Sequence, residues 1–209
     1  MSRNLPSRVS VRLSGFDYSS SNWYYVTICT HEREYLFGKI IDSVGARPAS
    51  PAYTMELNNA GKIIQSTWEL LPSHHNIKLD AFQIMPNHVH GVITINKTGE
   101  AGLAPTQTLG SIIGSFKSKC TKEIRISLNN PSMIVWQRNY YEHIIRDDGE
   151  LTHIRKYIKD NPKNWITDKL YVGARPASPV PNVGARPASP VISKIWNTKN
   201  FLASSSTVT

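Results

Sequence analysis

Apolar and polar positions along the chain switch between the period of a strand and that of a helix. The run Trp23–Thr30 is aromatic and β-branched, which predicts a first strand. Further along, Thr54–Leu71 carries apolar residues at helical spacing and is followed by Pro72, which predicts a helix that ends there. Lys78–Gln83 and His88–Ile95 are strand-like and are separated by a Pro-Asn pair, which predicts a hairpin or an interrupted strand.

The second half of the chain continues this alternation. Leu109–Phe116 predicts an amphipathic helix that runs into a basic stretch, and Met133–Trp136 has the composition of a short strand. A third helix is predicted from Asp147-Asp148, an acidic pair that suits a helix N-terminus, to Pro162. Strands interleaved with helices in this way predict an α+β fold, in which helices cover one face of an antiparallel sheet.

Composition and charge narrow the class of protein. The chain has 209 residues, enough for one domain with a core, and its 40% hydrophobic residues exclude a wholly disordered chain. No apolar run approaches the length of a membrane span, and the basic N-terminus lacks the apolar stretch of a signal peptide. Two cysteines, Cys29 and Cys120, exclude a disulfide framework and favour a cytoplasmic protein. The net charge of +9 favours a polyanionic partner such as nucleic acid.

An octapeptide, Val-Gly-Ala-Arg-Pro-Ala-Ser-Pro, occurs three times, at Val44–Pro51, Val172–Pro179 and Val183–Pro190. It has no apolar face that could stack, which predicts exposed insertions rather than a solenoid. Gly-Ala-Arg-Pro can be encoded by GGG GCG CGC CCC, a string equal to its own reverse complement. We therefore hypothesise that the copies are translated mobile palindromes. Unrelated synonymous codons without a self-complementary core in the gene would refute this hypothesis.

A His-Val-His sequence is the sharpest candidate for chemistry. His88 and His90 stand at alternate positions of a predicted strand, so both imidazoles project from the same face while Val89 faces the core. Two imidazoles so placed can hold one metal ion, and we expect them to face a cleft. Pairs of this kind also arise by chance and are more often not metal sites, so the pair alone leaves both interpretations open.

The third predicted helix offers a second candidate. Leu151, Ile154 and Ile158 form its buried stripe, and Tyr157 and Asn161 lie four residues apart beside that stripe. On spacing alone, the ordinary interpretation of Tyr157 is a residue that flanks the core with its hydroxyl in water.

A dense aromatic and basic segment, Trp136–Arg146, is the third candidate. Aromatic faces with interleaved arginines can stack bases and bind phosphates of single-stranded nucleic acid, although such residues are often part of a core.

Taken together, these motifs resemble a REP-associated tyrosine transposase, a branch of the single-tyrosine HUH transposases. The resemblance covers about residues 8–168 and rests on five segments in the expected order: Arg12–Tyr18, Tyr25–Thr30, Met85–His90, Trp136–His143 and Tyr157–Pro162. It implies an HUH transposase domain at 1–168, with a repeat insertion at 44–51, and a Pro-rich tail at 169–209. The implied fold is a ferredoxin-like or RRM-like antiparallel sheet with the histidines on a central strand.

The resemblance also implies roles for individual residues. His88 and His90 correspond to the family's metal ligands, Tyr157 to its nucleophile, and Asn161 to a third ligand for Mg²⁺ or Mn²⁺. Tyr140-Tyr141 competes for the role of nucleophile, but Tyr157 alone has an amide four residues on.

The implied function is metal-dependent nicking and strand transfer on single-stranded hairpin (REP-like) DNA through a 5′-phosphotyrosine, by a monomer or a homodimer. Two alternatives remain: a non-catalytic module that binds structured DNA or RNA on the same fold, and an unrelated HxH metalloenzyme with a third ligand, usually a carboxylate. The candidate DNA-binding residues are basic: Arg12, Lys117, Lys119, Lys122, Arg138 and Arg146.

Overall fold

The computed structural model describes residues 15–43, 52–96 and 107–172. Their strands are β1 (Trp23–Cys29), β2 (Gly38–Ser43), β3 (Ala52–Leu57), β4 (Ile77–Met85), β5 (His88–Ile95) and β6 (Tyr141–Ile145). Their helices are α1 (Asn59–Glu69), α2 (Leu71–His74), α3 (Leu109–Ser127) and α4 (Asp148–Asp160), with 3₁₀ turns at His31–Arg33 and Trp165–Thr167.

Four of these strands form one antiparallel sheet in the order β4-β5-β1-β6. Helix α1 lies between β1 and β4 in the chain, and α3 lies between β5 and β6. This βαββαβ order, with β1 and β5 in the centre, is the ferredoxin-like arrangement, so the predicted fold class is confirmed. Strands β2 and β3 pair separately as a hairpin inserted before α1.

Both faces of the sheet are covered by helices. On one face, Tyr24, Val26 and Ile28 of β1 pack in a core with α1 and α3. On the other face, Tyr25 of β1 and Val92 of β5 pack against the apolar stripe of α4. The expectation that the helices share one face therefore holds for α1 and α3 and is wrong for α4.

Two further sequence expectations differ from the structure. The predicted helix over Thr54–Leu71 is a strand up to Leu57, and α1 begins only after Asn58, whose side chain accepts a hydrogen bond from the Gly61 N–H. Met133–Trp136 makes a single bridge, from Trp136 to Thr30, and the fourth strand of the sheet is β6 instead.

Helix α4 follows its sequence signals closely. Asp147 caps it by accepting the Glu150 N–H at 2.8 Å, and Leu151, Ile154 and Ile158 are buried as the stripe predicted. The cap and the stripe together fix where this helix begins and which side faces the sheet.

Arg12, the copy Val44–Pro51, all but the first residue of Val172–Pro179, and Val183–Pro190 lie outside the described residues. Within the residues that are described, no helix is long and apolar enough to cross a membrane.

Gly91, directly after the second histidine, lies against an indole ring. A Cβ atom on Gly91 would be 2.3 Å from Cζ2 of Trp68, whose ring stacks on Phe82 with centroids 4.5 Å apart. Since Trp68 is fully buried, we expect Gly91→Ala to lower the free energy of unfolding by about 1–3 kcal/mol.

Urea denaturation measures this effect, with Gly114→Ala as the matched control. Gly114 lies on the exposed side of α3 with nothing within 4 Å of an added Cβ, so alanine there should stabilise the protein by about 0.5–1 kcal/mol. Equal stability of Gly91→Ala and the natural protein would contradict the packing described.

Candidate functional site

Strand β5 places His88 and His90 side by side on the face that α4 covers. The two Nε2 atoms are 2.9 Å apart, and both side chains are buried, so the expectation that they face an open cleft is wrong. Their position in the sheet explains the burial, because β5 is a central strand and α4 lies over it.

Hydrogen bonds define the tautomer of His88. Asn87 donates from Nδ2 to the backbone oxygens of Leu170 (2.8 Å) and Arg33 (3.2 Å), which leaves its Oδ1 as the acceptor for Nδ1 of His88 at 2.7 Å. The proton of His88 therefore lies on Nδ1, and its Nε2 carries a lone pair.

Both ring nitrogens of His90 have polar neighbours. Nδ2 of Asn161 lies 3.3 Å from Nε2 of His90 and 3.2 Å from Oδ2 of Asp168, both of which accept. Nδ1 of His90 lies 2.8 Å from the hydroxyl of Tyr25 and 2.9 Å from that of Thr27, and the Thr27 hydroxyl donates to that of Tyr25. The Nε2 atoms of the two rings lie 2.9 Å apart, close enough for both to contact one shared cation.

Burial disfavours a proton as that cation. It lowers the pKa of His90 to about 3, and burial together with the neighbouring His90 and Arg33 holds the pKa of His88 well below its usual range. Nearby oxygen atoms complete a donor set: Oδ1 of Asn161 is buried and has no hydrogen-bond partner within the described residues. The donor chemistry therefore fits a divalent metal ion.

Asp168 is a residue of this site that the sequence reasoning missed. It follows the 3₁₀ turn Trp165–Thr167, and one ligand atom each from His88, His90 and Asp168 all lie within 4.8 Å of one another. No periodic pattern points to it, because it lies in irregular chain after α4. The one available signal was chemical, since an HxH metal site calls for a further ligand, often a carboxylate.

Tyr157 reaches the same place from α4. Its ring centroid is 5.4 Å from that of His90, and its hydroxyl donates to Oδ2 of Asp168 at 3.5 Å. Burial, and then the negative charge of Asp168, raise the pKa of Tyr157 to about 12. With 40% of its surface exposed, this tyrosine is nevertheless accessible from outside.

The competing tyrosines lie elsewhere. Tyr141 contacts the ring of Tyr25 edge-on with centroids 6.2 Å apart, and Tyr140 packs against the core on the opposite face of the sheet. The structure thus brings Tyr157 and Asn161 to the histidines, as the resemblance implied, and Tyr25 stands between Tyr141 and His90.

The candidate DNA-binding residues that the structure describes differ in their surroundings. Lys122 and Arg138 line a groove of about 910 Å³ between α3 and residues 129–138, together with Arg125. Lys119 lies on α3 outside the lining of this groove, and Arg146 is exposed at the start of α4.

Lys117 also lines this groove, but its half-buried ammonium group is bonded to the backbone. Its Nζ donates to the backbone oxygens of Gln137 (2.6 Å), Arg138 (3.4 Å) and Asn139 (3.4 Å), and burial lowers its pKa to about 8. Trp136 is also buried, and its Nε1 donates to the backbone oxygen of Lys117. These two residues anchor the segment before β6 to α3.

Comparisons with known proteins show the family to which this chain belongs. A family described as "Transposase IS200 like" matches residues 53–161, slightly more than half of the chain. An uncharacterized protein of Haemophilus influenzae is 38% identical over 180 residues, which cover 79% of this chain and 93% of that protein.

Two more distant similarities carry the name of a subgroup. A second Haemophilus influenzae protein, provisionally named a REP-associated tyrosine transposase, is 26% identical over 102 residues, 47% of this chain and 56% of that protein. A solved REP-associated tyrosine transposase bound to a REP hairpin shares 15% identity over 74% of each chain, with a TM-score of 0.47. The extent of the family match and the 38% identical relative show that this chain belongs to the IS200-like transposase family.

Proposed function

We propose that this protein nicks single-stranded hairpin DNA of the REP type and transfers the cut strand through a 5′-phosphotyrosine on Tyr157. The observation that carries the proposal is the convergence of one accessible tyrosine with two buried imidazoles whose Nε2 atoms lie 2.9 Å apart. His88, His90 and Asn161 are the proposed ligands of a divalent ion, Mg²⁺ or Mn²⁺. When bound, this ion supplies positive charge that stabilises the negative charge developing on the scissile phosphate.

The chain's own residues account for the remaining steps. The Oη atom of Tyr157 attacks phosphorus and forms the new O–P bond, while the bond to the 3′-oxygen breaks in line with it. The hydroxyl proton leaves Oη, and the departing 3′-oxygen takes up a proton to become a free 3′-OH. Attack by a 3′-OH on the phosphotyrosine reverses these changes and rejoins or transfers the strand without an external energy source.

The positioning of the phosphate beside Tyr157 explains why a tyrosine with a raised pKa can act as the nucleophile. The hydroxyl stays protonated at neutral pH, so it is unreactive until a phosphate is held beside it. The contacts of its ring with His90 and Tyr25 fix the direction from which Oη approaches.

The groove beside α3 is the proposed path of the DNA backbone. It runs next to Trp136, which bridges to Thr30, and the Thr30 N–H donates to the backbone oxygen of Asn87, directly before His88. Lys122 and Arg138 therefore line a groove connected by these contacts to the histidine end of β5, while Lys119 and Arg146 extend the proposed surface.

Neutralising the groove should weaken binding in a salt-dependent way. For Lys122→Ala combined with Arg138→Ala, we expect lower affinity for a hairpin oligonucleotide and a shallower slope of log K against log salt, by about 1 per lost phosphate contact. Fluorescence anisotropy at several salt concentrations measures both quantities. Lys39→Ala is the control, because this exposed lysine pairs with Glu56 on the separate β2–β3 hairpin. An unchanged slope in the double variant would contradict the proposed path.

A labelled hairpin oligonucleotide incubated with the full chain and Mn²⁺ tests the activity itself. We expect a covalent protein–DNA adduct that survives a denaturing gel and is absent with EDTA. Tight hairpin binding without an adduct would instead support the non-catalytic binding module.

The catalytic unit is proposed to be the domain at 1–168, followed by the tail. The packed structure extends slightly further, because Leu170 is buried and its backbone oxygen accepts from Asn87. The two free cysteines, Cys29 and Cys120, are both buried, which supports a cytoplasmic location as part of the proposal.

A further inference from the structure

We propose that Asp168 is the anionic ligand of the metal site and completes the set formed by the two histidines and Asn161. This inference rests on the proposed function, because it assigns a further ligand to the same site. Within the described residues, His88, His90 and Asp168 are the only group of His, Cys, Asp or Glu side chains that meets the geometry of a shared ion.

The distances bring Asp168 within reach of the ion that the imidazoles would share. The three ligand atoms lie within 4.8 Å of one another, whereas opposite ligands of one Mg²⁺ or Mn²⁺ ion are about 4.2 Å apart. One ion can therefore contact all three ligand atoms after a small side-chain movement. Oδ2 of Asp168 is already directed at the site, since it accepts from Asn161 at 3.2 Å.

Charge gives a second reason for a carboxylate here. His88, His90 and Asn161 are neutral and buried, so a divalent ion held by them alone would leave both charges uncompensated in a region with little water. A carboxylate offsets one of the two charges and provides an oxygen, the donor that Mg²⁺ prefers. Asp168 supplies both the negative charge and the oxygen ligand to this site.

Backbone contacts hold the carboxylate in place. The Leu170 N–H donates to Oδ1 of Asp168 at 2.6 Å, which leaves Oδ2 turned toward the histidines. The backbone oxygen of the same Leu170 accepts from Asn87, which in turn accepts from Nδ1 of His88. These hydrogen bonds thus link the carboxylate of Asp168 to the imidazole of His88. Trp165 also packs beside His88, with ring centroids 5.9 Å apart.

A competing interpretation is that Asp168 serves only as the hydrogen-bond acceptor of Tyr157. The two interpretations differ in metal affinity, because a residue that only orients the tyrosine leaves ion binding unchanged. Affinity for Mn²⁺ can be measured without DNA, from the electron paramagnetic resonance signal of free Mn²⁺ titrated with the full chain.

We expect Asp168→Asn to weaken Mn²⁺ binding at least about tenfold, because it removes the charge and keeps the shape. Asp160→Asn is the matched control, since that exposed carboxylate on α4 pairs with Lys156 and should leave Mn²⁺ binding unchanged. Asp168→Glu keeps the charge on a longer side chain, and we expect it to bind Mn²⁺ more tightly than Asp168→Asn.

The outcomes separate this inference from the proposed function. Normal Mn²⁺ affinity in Asp168→Asn, together with its loss in His90→Ala, would overturn the role of Asp168 and leave the histidine site standing. Normal affinity in His90→Ala would overturn the metal site of the proposed function. Asp168→Glu binding no better than Asp168→Asn would also contradict a charged ligand, and thermal melts of each variant verify that it is folded.

Discussion

Tyr157→Phe is expected to abolish the covalent protein–DNA adduct, a fall of at least about 10³-fold, while hairpin binding persists. Phenylalanine keeps the ring contacts with His90 and Tyr25 and removes only the hydroxyl. The hydrogen bond from that hydroxyl to Asp168 is long, 3.5 Å, so we expect stability to change by less than about 1 kcal/mol. A denaturing gel measures the adduct, and fluorescence anisotropy measures the binding.

Tyr141→Phe is the control for this experiment. Tyr141 is half-buried, and its ring contacts the same Tyr25, but no contact joins it to the histidines in the described structure. It should form the adduct at the rate of the natural protein. An adduct that survives in Tyr157→Phe and disappears in Tyr141→Phe would show that the nucleophile is on β6.

His90→Ala is expected to remove metal-dependent cleavage, again by at least about 10³-fold, and with it Mn²⁺ binding. The residue is buried and hydrogen-bonded, so its loss also leaves a cavity and removes the partner of two hydroxyls, those of Tyr25 and Thr27. We therefore expect a cost of about 1–3 kcal/mol in stability, which is compatible with a folded protein.

The matched control is His153→Ala, an exposed histidine on α4 whose Nδ1 lies 2.8 Å from the backbone oxygen of Gly149. It should retain both cleavage and Mn²⁺ binding. If His90→Ala is folded and cleaves hairpin DNA at the normal rate, the proposed role of the imidazole pair is wrong.

Features encoded by short-range patterns could be predicted from the sequence. The cap at Asp147 and the stripe Leu151, Ile154 and Ile158 predicted α4, because both signals act within one or two helical turns. The common face of His88 and His90 followed from the two-residue period of a strand. The place of Tyr157 beside His90 required the family resemblance, since spacing alone favoured an ordinary surface tyrosine.

Features that depend on distant partners could not be predicted in this way. Leu57 fits helical spacing in the sequence, yet it pairs with Gly38 in the β2–β3 hairpin. Strand β6 forms because it pairs with β1, which is far away in the chain. Lys117 is half-buried because three carbonyl groups about twenty residues away accept from it. Asp168 is held at the site by Leu170, which contacts both Asp168 and the distant Asn87.

The link between Leu170 and Asn87 has a consequence for the synthesis of the protein. The ribosome makes the histidine strand early, whereas Tyr157, Asn161 and Asp168 all come from the last part of the packed domain. A nascent chain therefore carries imidazoles without a nucleophile until translation of the domain is almost finished. Under the proposed function, the domain becomes competent to cut DNA only when its final packed segment has docked.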